Sequence, residues 1–509
     1  MSLAWLSSAL DRRWLLAIVL ALCIGRMWLA ELGSSFWVDE MGTEFVVLHG
    51  ADDPTLKVAP QVPASVYYSI PRVSQALFGA SEIGYRVPSV LFMAVALGLV
   101  VWIGRRLIHP DAGWFAAFAC LLLRDFNYQA ADARPYALGT CVLCAAVFFL
   151  IRWLDSGSWL DAGLFALLAA LLWRVHLIFW PLYVVFAIYT IVRLVRAEAK
   201  PGWLVVIPVY LIIGATLLPV AAQAIALNRQ ASGHVVVSIP DFAAFTRGFK
   251  PTYVLLFCAV AAAIGGLLRW PRVHRAGSLS GLVLILSWWL VDPLCLYAFS
   301  LITKNSVYLE RYLYLSLPGM ALAATLGTAI FLEAKEWRRA AAVLGLGVLL
   351  SQGHWDRLFP PHHNSDWRGA ARAIDAEMAA GEAPVICPSP FIEARPPVWQ
   401  PDYPRPSFLY SHLAAYPVKG RVLTFPFESS PGVEEYARAL GRDKLFRSRE
   451  FVVYGGNRAA MFWRDWFRAQ PELDGWRVRR LGPFGDVEVL VFERPTSGTS
   501  GGQINLASP

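Results

Sequence analysis

The chain has 509 residues, 57% of them hydrophobic and 16% charged, with 21 Trp and a formal net charge of +8. No single soluble core could hide so much apolar surface, so an ordinary water-soluble enzyme is excluded. Much of the basic excess lies beside apolar runs, where it follows membrane orientation, so it implies no nucleic-acid partner.

Apolar runs of roughly 17–25 residues, each able to cross the hydrocarbon core, recur to about residue 353. The first, residues 13–31, follows Arg12-Arg13. Arg26 interrupts it and no small-x-small cleavage site follows, which predicts an uncleaved first helix rather than a secretory signal. Further spans are expected near 88–104, 112–123, 136–152, 159–173, 177–192, 202–222, 251–268, 279–299, 312–331 and 340–353, about eleven in all. The connections holding Arg12-Arg13, Arg105-Arg106, Arg193 with Arg196 and Lys200, Arg269 with Arg272 and Arg275, and Lys335 with Arg338-Arg339 are short and basic. By the positive-inside rule they are cytoplasmic. In a bacterial inner membrane the N-terminus is then cytoplasmic, and loops 32–87, 124–135, 174–176, 223–250 and 300–311 and the C-terminal domain are expected on the periplasmic side.

Loop 32–87 is too long for a simple turn. Its VVLHG and VYYSIPRVSQALFG stretches suit helices lying in the interface plane. Just past the first span, FWVDEMGTEF places Asp39 and Glu40 at the membrane–water boundary. Acidic residues there either cap an interfacial helix or act as catalytic carboxylates. Arg134, before Pro135 at the opening of the fourth span, either snorkels or holds a phosphate through its planar fork of donors. Arg86, Lys304, Glu310, Arg311, Arg174 and His176 sit at other span mouths, where charge is costly and tends to face cavities. Arg124 and Asp125 could pair with each other, and Asp292 with Arg26 or another cation. Carboxylates and cations converging on one side suit a reaction on a lipid-linked anionic substrate.

The seven cysteines lie mostly in apolar segments; Cys141 and Cys144 read as packing residues and Cys387 is alone in the C-terminal part. Residues 1–353 form a transmembrane body that includes loop 32–87. Residues 354–495 are expected to form a soluble α/β domain, and 496–509 a disordered tail. In that domain SDWRGAARAIDAEMAA (365–380), capped by Ser365 or Asp366, EEYARAL and AAMFWRDWF read as helices. APVICPS, RVLTFPF and FVVYGG read as buried strands, and Arg477–Arg480 with Asp486–Phe492 as a hairpin turning at Gly482 to Gly485. No nucleotide-binding glycine loop or zinc motif is present, and His362-His363 stands in a Pro-rich linker with no metal assigned to it.

The ordered set FWVDE, VYYSIPRVSQALFGASEIGYRVPSVLF, IGRRL, ARPYAL (133–138), RVHLIFWPL, ERYLYLSLPGMAL and SDWRGAARAI resembles the family-39-like branch of the GT-C glycosyltransferases. That branch includes protein O-mannosyltransferases and the lipid A aminoarabinose transferase. One departure is Pro63-Ala64-Ser65-Val66 before Tyr67-Tyr68, where many relatives carry His-Pro-Pro. The resemblance implies a GT-C-like membrane fold, a polyprenyl-phosphate sugar as donor, and inversion at the anomeric carbon. The acceptor would be an unnamed glycan, lipid or protein at the periplasmic face. It further implies Asp39 and Glu40 as catalytic carboxylates, with Arg134, Arg86, Lys304 and Arg311 on the donor phosphate. Tyr67, Tyr68, Tyr136, His176 and Glu310 would contact substrate. No cofactor is required, and a divalent cation stays an option. Two alternatives are a flippase for lipid-linked sugars, for which no internal repeat is found, and a polysaccharide polymerase or ligase using a diphosphate-linked donor.

Overall fold

The computed structural model describes residues 13–59, 61–62, 65–230, 238–268, 277–378, 383–401 and 403–495. Arg12, the cluster Arg269, Arg272 and Arg275, residues 63–64 and the expected disordered tail lie outside the described residues. The chain forms two compact units: residues 1–33 with 59–362, and residues 34–58 with 363–509. The start of the long first loop therefore belongs with the C-terminal part of the chain, a division that differs from a single boundary near residue 353.

The first unit is helical because its apolar runs can satisfy their backbone groups only within themselves. Among the described residues, five helices are long and apolar enough to cross a membrane: Glu82–Leu107, Pro135–Ser156, Leu177–Val195, Trp203–Arg229 and Leu279–Thr303. A sixth arises if Phe242–Phe249 and Pro251–Leu267, bent by 46° at Lys250, count as one. Other apolar helices, such as Trp14–Leu29, Ala112–Leu122, Trp159–Val175, Leu317–Ala329 and Trp337–Ser351, are shorter. Length and composition alone thus mark fewer spans than the eleven expected from the sequence.

Helix Pro135–Ser156 is the most enclosed of the long helices and packs between Glu82–Leu107 and Trp159–Val175. Gly139 lets the Phe179 ring lie against this helix: a Cβ there would collide with that ring. Ion pairs gather the basic connections at one end of the unit. Asp155 binds Arg106 at 2.7 Å and Arg193 at 2.8 Å, and Arg338 reaches Asp111 at 3.3 Å.

The second unit holds a five-stranded sheet of β1 (Pro384–Pro388), β2 (Arg421–Phe425), β3 (Glu450–Gly456), β4 (Arg477–Phe484) and β5 (Val487–Glu493), in the order β2-β1-β3-β5-β4. The first three strands run parallel, and β5 pairs antiparallel with β3 and β4. β1, β3 and β5 are almost wholly buried, and the one buried charge among them, Glu488 of β5, pairs with Arg480 at 2.5 Å. Helix Asn457–Arg468 covers β3 and β5, and inserts Trp463 and Phe467 among Phe425, Phe451 and Phe492. Asp366 caps helix Trp367–Glu377 by accepting the Gly369 N–H at 2.9 Å.

Candidate functional site

In the first unit, several polar residues converge where helices end. Arg134 adopts the extended backbone (φ −133°, ψ 164°) that a following proline enforces, and Pro135 starts the helix. His176 lies in the turn after Trp159–Val175, where its Nδ1 accepts the Ile178 N–H at 3.2 Å. Its ring stacks against Tyr136 (centroids 5.9 Å) and tilts against Tyr312 (5.7 Å), while Tyr136 meets Tyr314 edge-on at 5.6 Å. The guanidinium of Arg311 lies 5.6 Å from the Tyr312 ring. Burial, then the nearby charges of Arg134 and Arg311, push the His176 pKa down to about 3. His176 is therefore neutral at physiological pH and belongs to the same electrostatic neighbourhood as both arginines.

Beside this cluster stands Lys250, which pairs with Asp125 and, at 2.8 Å, with Glu310. Burial opposes its charge, but the bonds to the two carboxylates outweigh that and raise its pKa. Sequence reasoning missed Lys250, although Lys250-Pro251 repeats the Arg134-Pro135 pattern of a cation directly before a helix-opening proline. Asp125 pairs with Lys250 rather than with Arg124, correcting the expected Arg124–Asp125 pair, because the helix break brings the ammonium to it.

Other expected site residues fall elsewhere in this unit. Tyr67 is buried and meets Tyr68 edge-on at 5.3 Å. The Ser65 hydroxyl donates to the Val175 carbonyl at 2.7 Å, which sets this segment beside the His176 turn. Arg86 is fully buried and donates to the carbonyls of Leu32 (3.0 Å) and Glu31 (3.4 Å), groups left over where the first helix ends. Lys304 is exposed at the end of Leu279–Thr303 in a left-handed conformation (φ 59°). Arg174 donates to the carbonyls of Ala170 and Thr216 (2.6 and 2.5 Å), a helix-bracing role.

Asp292 does not pair with Arg26. Among the described residues no cation reaches its buried carboxyl, whose Oδ2 has no hydrogen-bond partner. Arg26 instead lies 3.2 Å over the Trp355 ring, on the chain segment that follows the last apolar helix. His362, read from the sequence as part of a Pro-rich linker, is buried: its Nδ1 lies 3.0 Å from Glu31 Oε2, and its ring stacks on Tyr128 at 4.2 Å. Burial pushes the Glu31 pKa up to about 7, against the pull of Arg86 and Arg124.

The second unit carries Asp39 and Glu40 on helix Val38–His49. Glu40 is fully buried and its Oε2 accepts the Trp37 N–H at 3.3 Å, so the capping role foreseen for this pair is played by Glu40. Asp39, one position earlier, is only half-buried. Three contacts bind this segment to the C-terminal chain: Phe36 N–H donates to the Tyr416 hydroxyl (2.8 Å), Arg368 N–H to Ser35 Oγ (3.2 Å), and Trp37 stacks on His363 at 5.0 Å. Glu377, Glu450 and Glu493 bring three carboxylates close enough to share a metal ion. Arg479 already bonds Glu377 at 2.6 Å and Glu493 at 2.7 Å and supplies the counter-charge.

Residues 62–222 match the family model described as dolichyl-phosphate-mannose-protein mannosyltransferase. No curated protein sequence matches the chain. Its fold is similar to that of ArnT from Cupriavidus metallidurans. In the apo state the TM-score is 0.51 at 9% identity, over 93% of this chain and 97% of that one. In the structure bound to undecaprenyl phosphate it is 0.51 at 10% identity, over 99% and 100%.

Proposed function

We propose that this chain, a membrane glycosyltransferase of the GT-C type that resembles ArnT and the protein mannosyltransferases, moves a sugar from a polyprenyl-phosphate carrier to an acceptor at the periplasmic face. The observation that carries this reading is the grouping of Arg134 and Arg311 with neutral His176 and Tyr136 at the ends of apolar helices. An anionic headgroup would rest there while its lipid chain runs among the spans. Undecaprenyl phosphate bound to the similarly folded ArnT supports that choice of carrier.

The chemistry sets two tasks. The acceptor oxygen or nitrogen attacks the anomeric carbon, the bond from that carbon to the phosphate oxygen breaks, and the electron pair leaves with the phosphate. A phosphodiester with one negative charge becomes a monoester approaching two, so fixed cations stabilise the transition state more than the ground state. Arg134 and Arg311 supply that charge, and Arg86 and Lys304 are secondary helpers. His176, held neutral, donates or accepts a hydrogen bond without adding charge. Asp39 takes the acceptor proton late in the attack, when that atom has become acidic; a base so positioned is worth roughly 10²–10⁴-fold. Glu40 fixes the helix that presents Asp39, and Tyr67, Tyr68, Tyr136 and Glu310 contact the sugar.

The reading is tested by offering the purified chain a polyprenyl monophosphate sugar and its diphosphate counterpart. Transfer from the monophosphate alone is expected, with Arg134→Ala raising the donor KM and lowering kcat. A strict diphosphate requirement would favour a polymerase or ligase instead, and lipid translocation without transfer would favour a flippase.

A further inference from the structure

A second feature of the C-terminal unit is independent of Asp39 and Glu40. A groove of about 550 Å³ opens between helix Pro431–Leu440 with the helical segment Gly441–Leu445 that continues it and the end of helix Asn457–Arg468. That volume falls within the roughly 300–1,000 Å³ of small-molecule sites. Its apolar wall is Trp466 with Phe446, and its polar rim is Glu434, Arg438, Arg442 and Glu472. Trp466 is held in place by edge contacts to Trp463 (5.6 Å) and Phe467 (5.1 Å).

The rim carries two cations and two anions, so it has no net field to select a phosphate or a polyanion. Its ion pairs are long and exposed: Arg438–Glu434 and Arg442–Glu472 are both 3.4 Å. Such pairs contribute little to stability, which leaves these side chains available to a ligand. Two planar guanidinium forks and two carboxylates match paired neighbouring hydroxyls, one as donors and the other as acceptors. An indole face beside them matches the apolar C–H face of a pyranose. We propose that this groove binds a neutral sugar chain, the glycan portion of the acceptor. The acceptor assignment rests on the glycosyltransferase reading, whereas the binding itself does not.

The test uses the full chain in detergent on an array of neutral hexose and N-acetylhexosamine tetrasaccharides, with oligouronates and polyglutamate as anionic probes. At least one neutral tetrasaccharide is expected to bind. Its affinity should fall at least tenfold in Trp466→Ala and in Arg442→Gln, and return in Trp466→Phe. Arg442 is exposed on the short helical segment Gly441–Leu445, so its variant is expected to keep the fold, and amide protection of β3 and β5 would verify this for both variants. No neutral binder, binding indifferent to both substitutions, or a preference for polyglutamate would each overturn the site. Because binding is read without turnover, an inactive enzyme that still binds the glycan would leave the site standing and remove only the transfer reaction.

Discussion

Arg134 meets two requirements at one position. The proline after it fixes an extended backbone and opens a helix, and its charge helps hold His176 neutral. A lysine there would keep the charge but lose the planar fork on which the proposed grip of two phosphate oxygens depends. Arg134→Lys is therefore expected to raise the donor KM several-fold while leaving acceptor KM unchanged, and steady-state kinetics with each substrate varied in turn would check it. Lys250 offers a contrasting case. It neutralises Asp125 and Glu310, so Lys250→Met would leave two uncompensated carboxylates beside the arginines proposed to hold the phosphate. Donor affinity should fall, and low salt should accentuate the loss if the cause is electrostatic.

His412 belongs to the same scale. It is fully buried among Trp367, Tyr410 and Tyr454, and burial pushes its pKa down to about 3. An unfolded chain takes up a proton at a histidine below about pH 6.5, whereas the folded unit refuses it until about pH 3. This contribution to stability is intact above pH 6.5 and is lost as pH falls through that window. His412→Phe should flatten this part of the pH dependence, read as hydrogen exchange at β1 and β3 between pH 7 and pH 5. Charged motif residues were legible in the sequence because costly charges at span mouths stand out. The partners of Asp125 and His362 were not, because they depend on helix breaks and crossings that no periodicity encodes.

At the level of elements, the short strands and helices of the second unit could be read from alternation and turn residues, since each is bounded by Gly, Pro or a cap. The hairpin of β4 and β5 turns at Gly485-Asp486, between the paired Phe484 and Val487, while Gly482 falls in an irregularity of β4 rather than in the turn expected over Gly482 to Gly485; both glycines take positive φ. Spans were harder. Helices such as Ala112–Leu122 are buried among other helices and too short to be counted by length. Helix approach also depends on single small residues. Gly139→Leu would drive a side chain into Phe179, which adjoins the His176 turn. Overpacking of this kind costs about 1–3 kcal/mol. The variant should lower thermal stability and also weaken donor binding, whereas an equally destabilising change at Gly345, packed on Phe118, should spare donor binding.

Across the whole molecule, the division into units separates the chemistry by chain segment. The arginine and histidine cluster belongs to the helical unit, and the Asp39–Glu40 helix belongs with the sheet. Sequence reading assigned all of loop 32–87 to the membrane body, because nearness along the chain is the only guide to contact available there. The hydrogen bonds of Phe36 to Tyr416 and of Arg368 to Ser35 join residues more than 300 positions apart, and no local pattern announces them. The roles proposed for Asp39 and for Arg134 lie on different units and so make separable predictions, since each can be altered while the other unit keeps its fold.

The most direct test of the account is single-turnover sugar transfer by Asp39→Asn from a purified polyprenyl monophosphate sugar, alongside measured donor binding. A change from carboxylate to amide keeps the size and removes the base. The account predicts normal donor affinity with transfer reduced at least about a hundredfold. Transfer at near wild-type rate would contradict it.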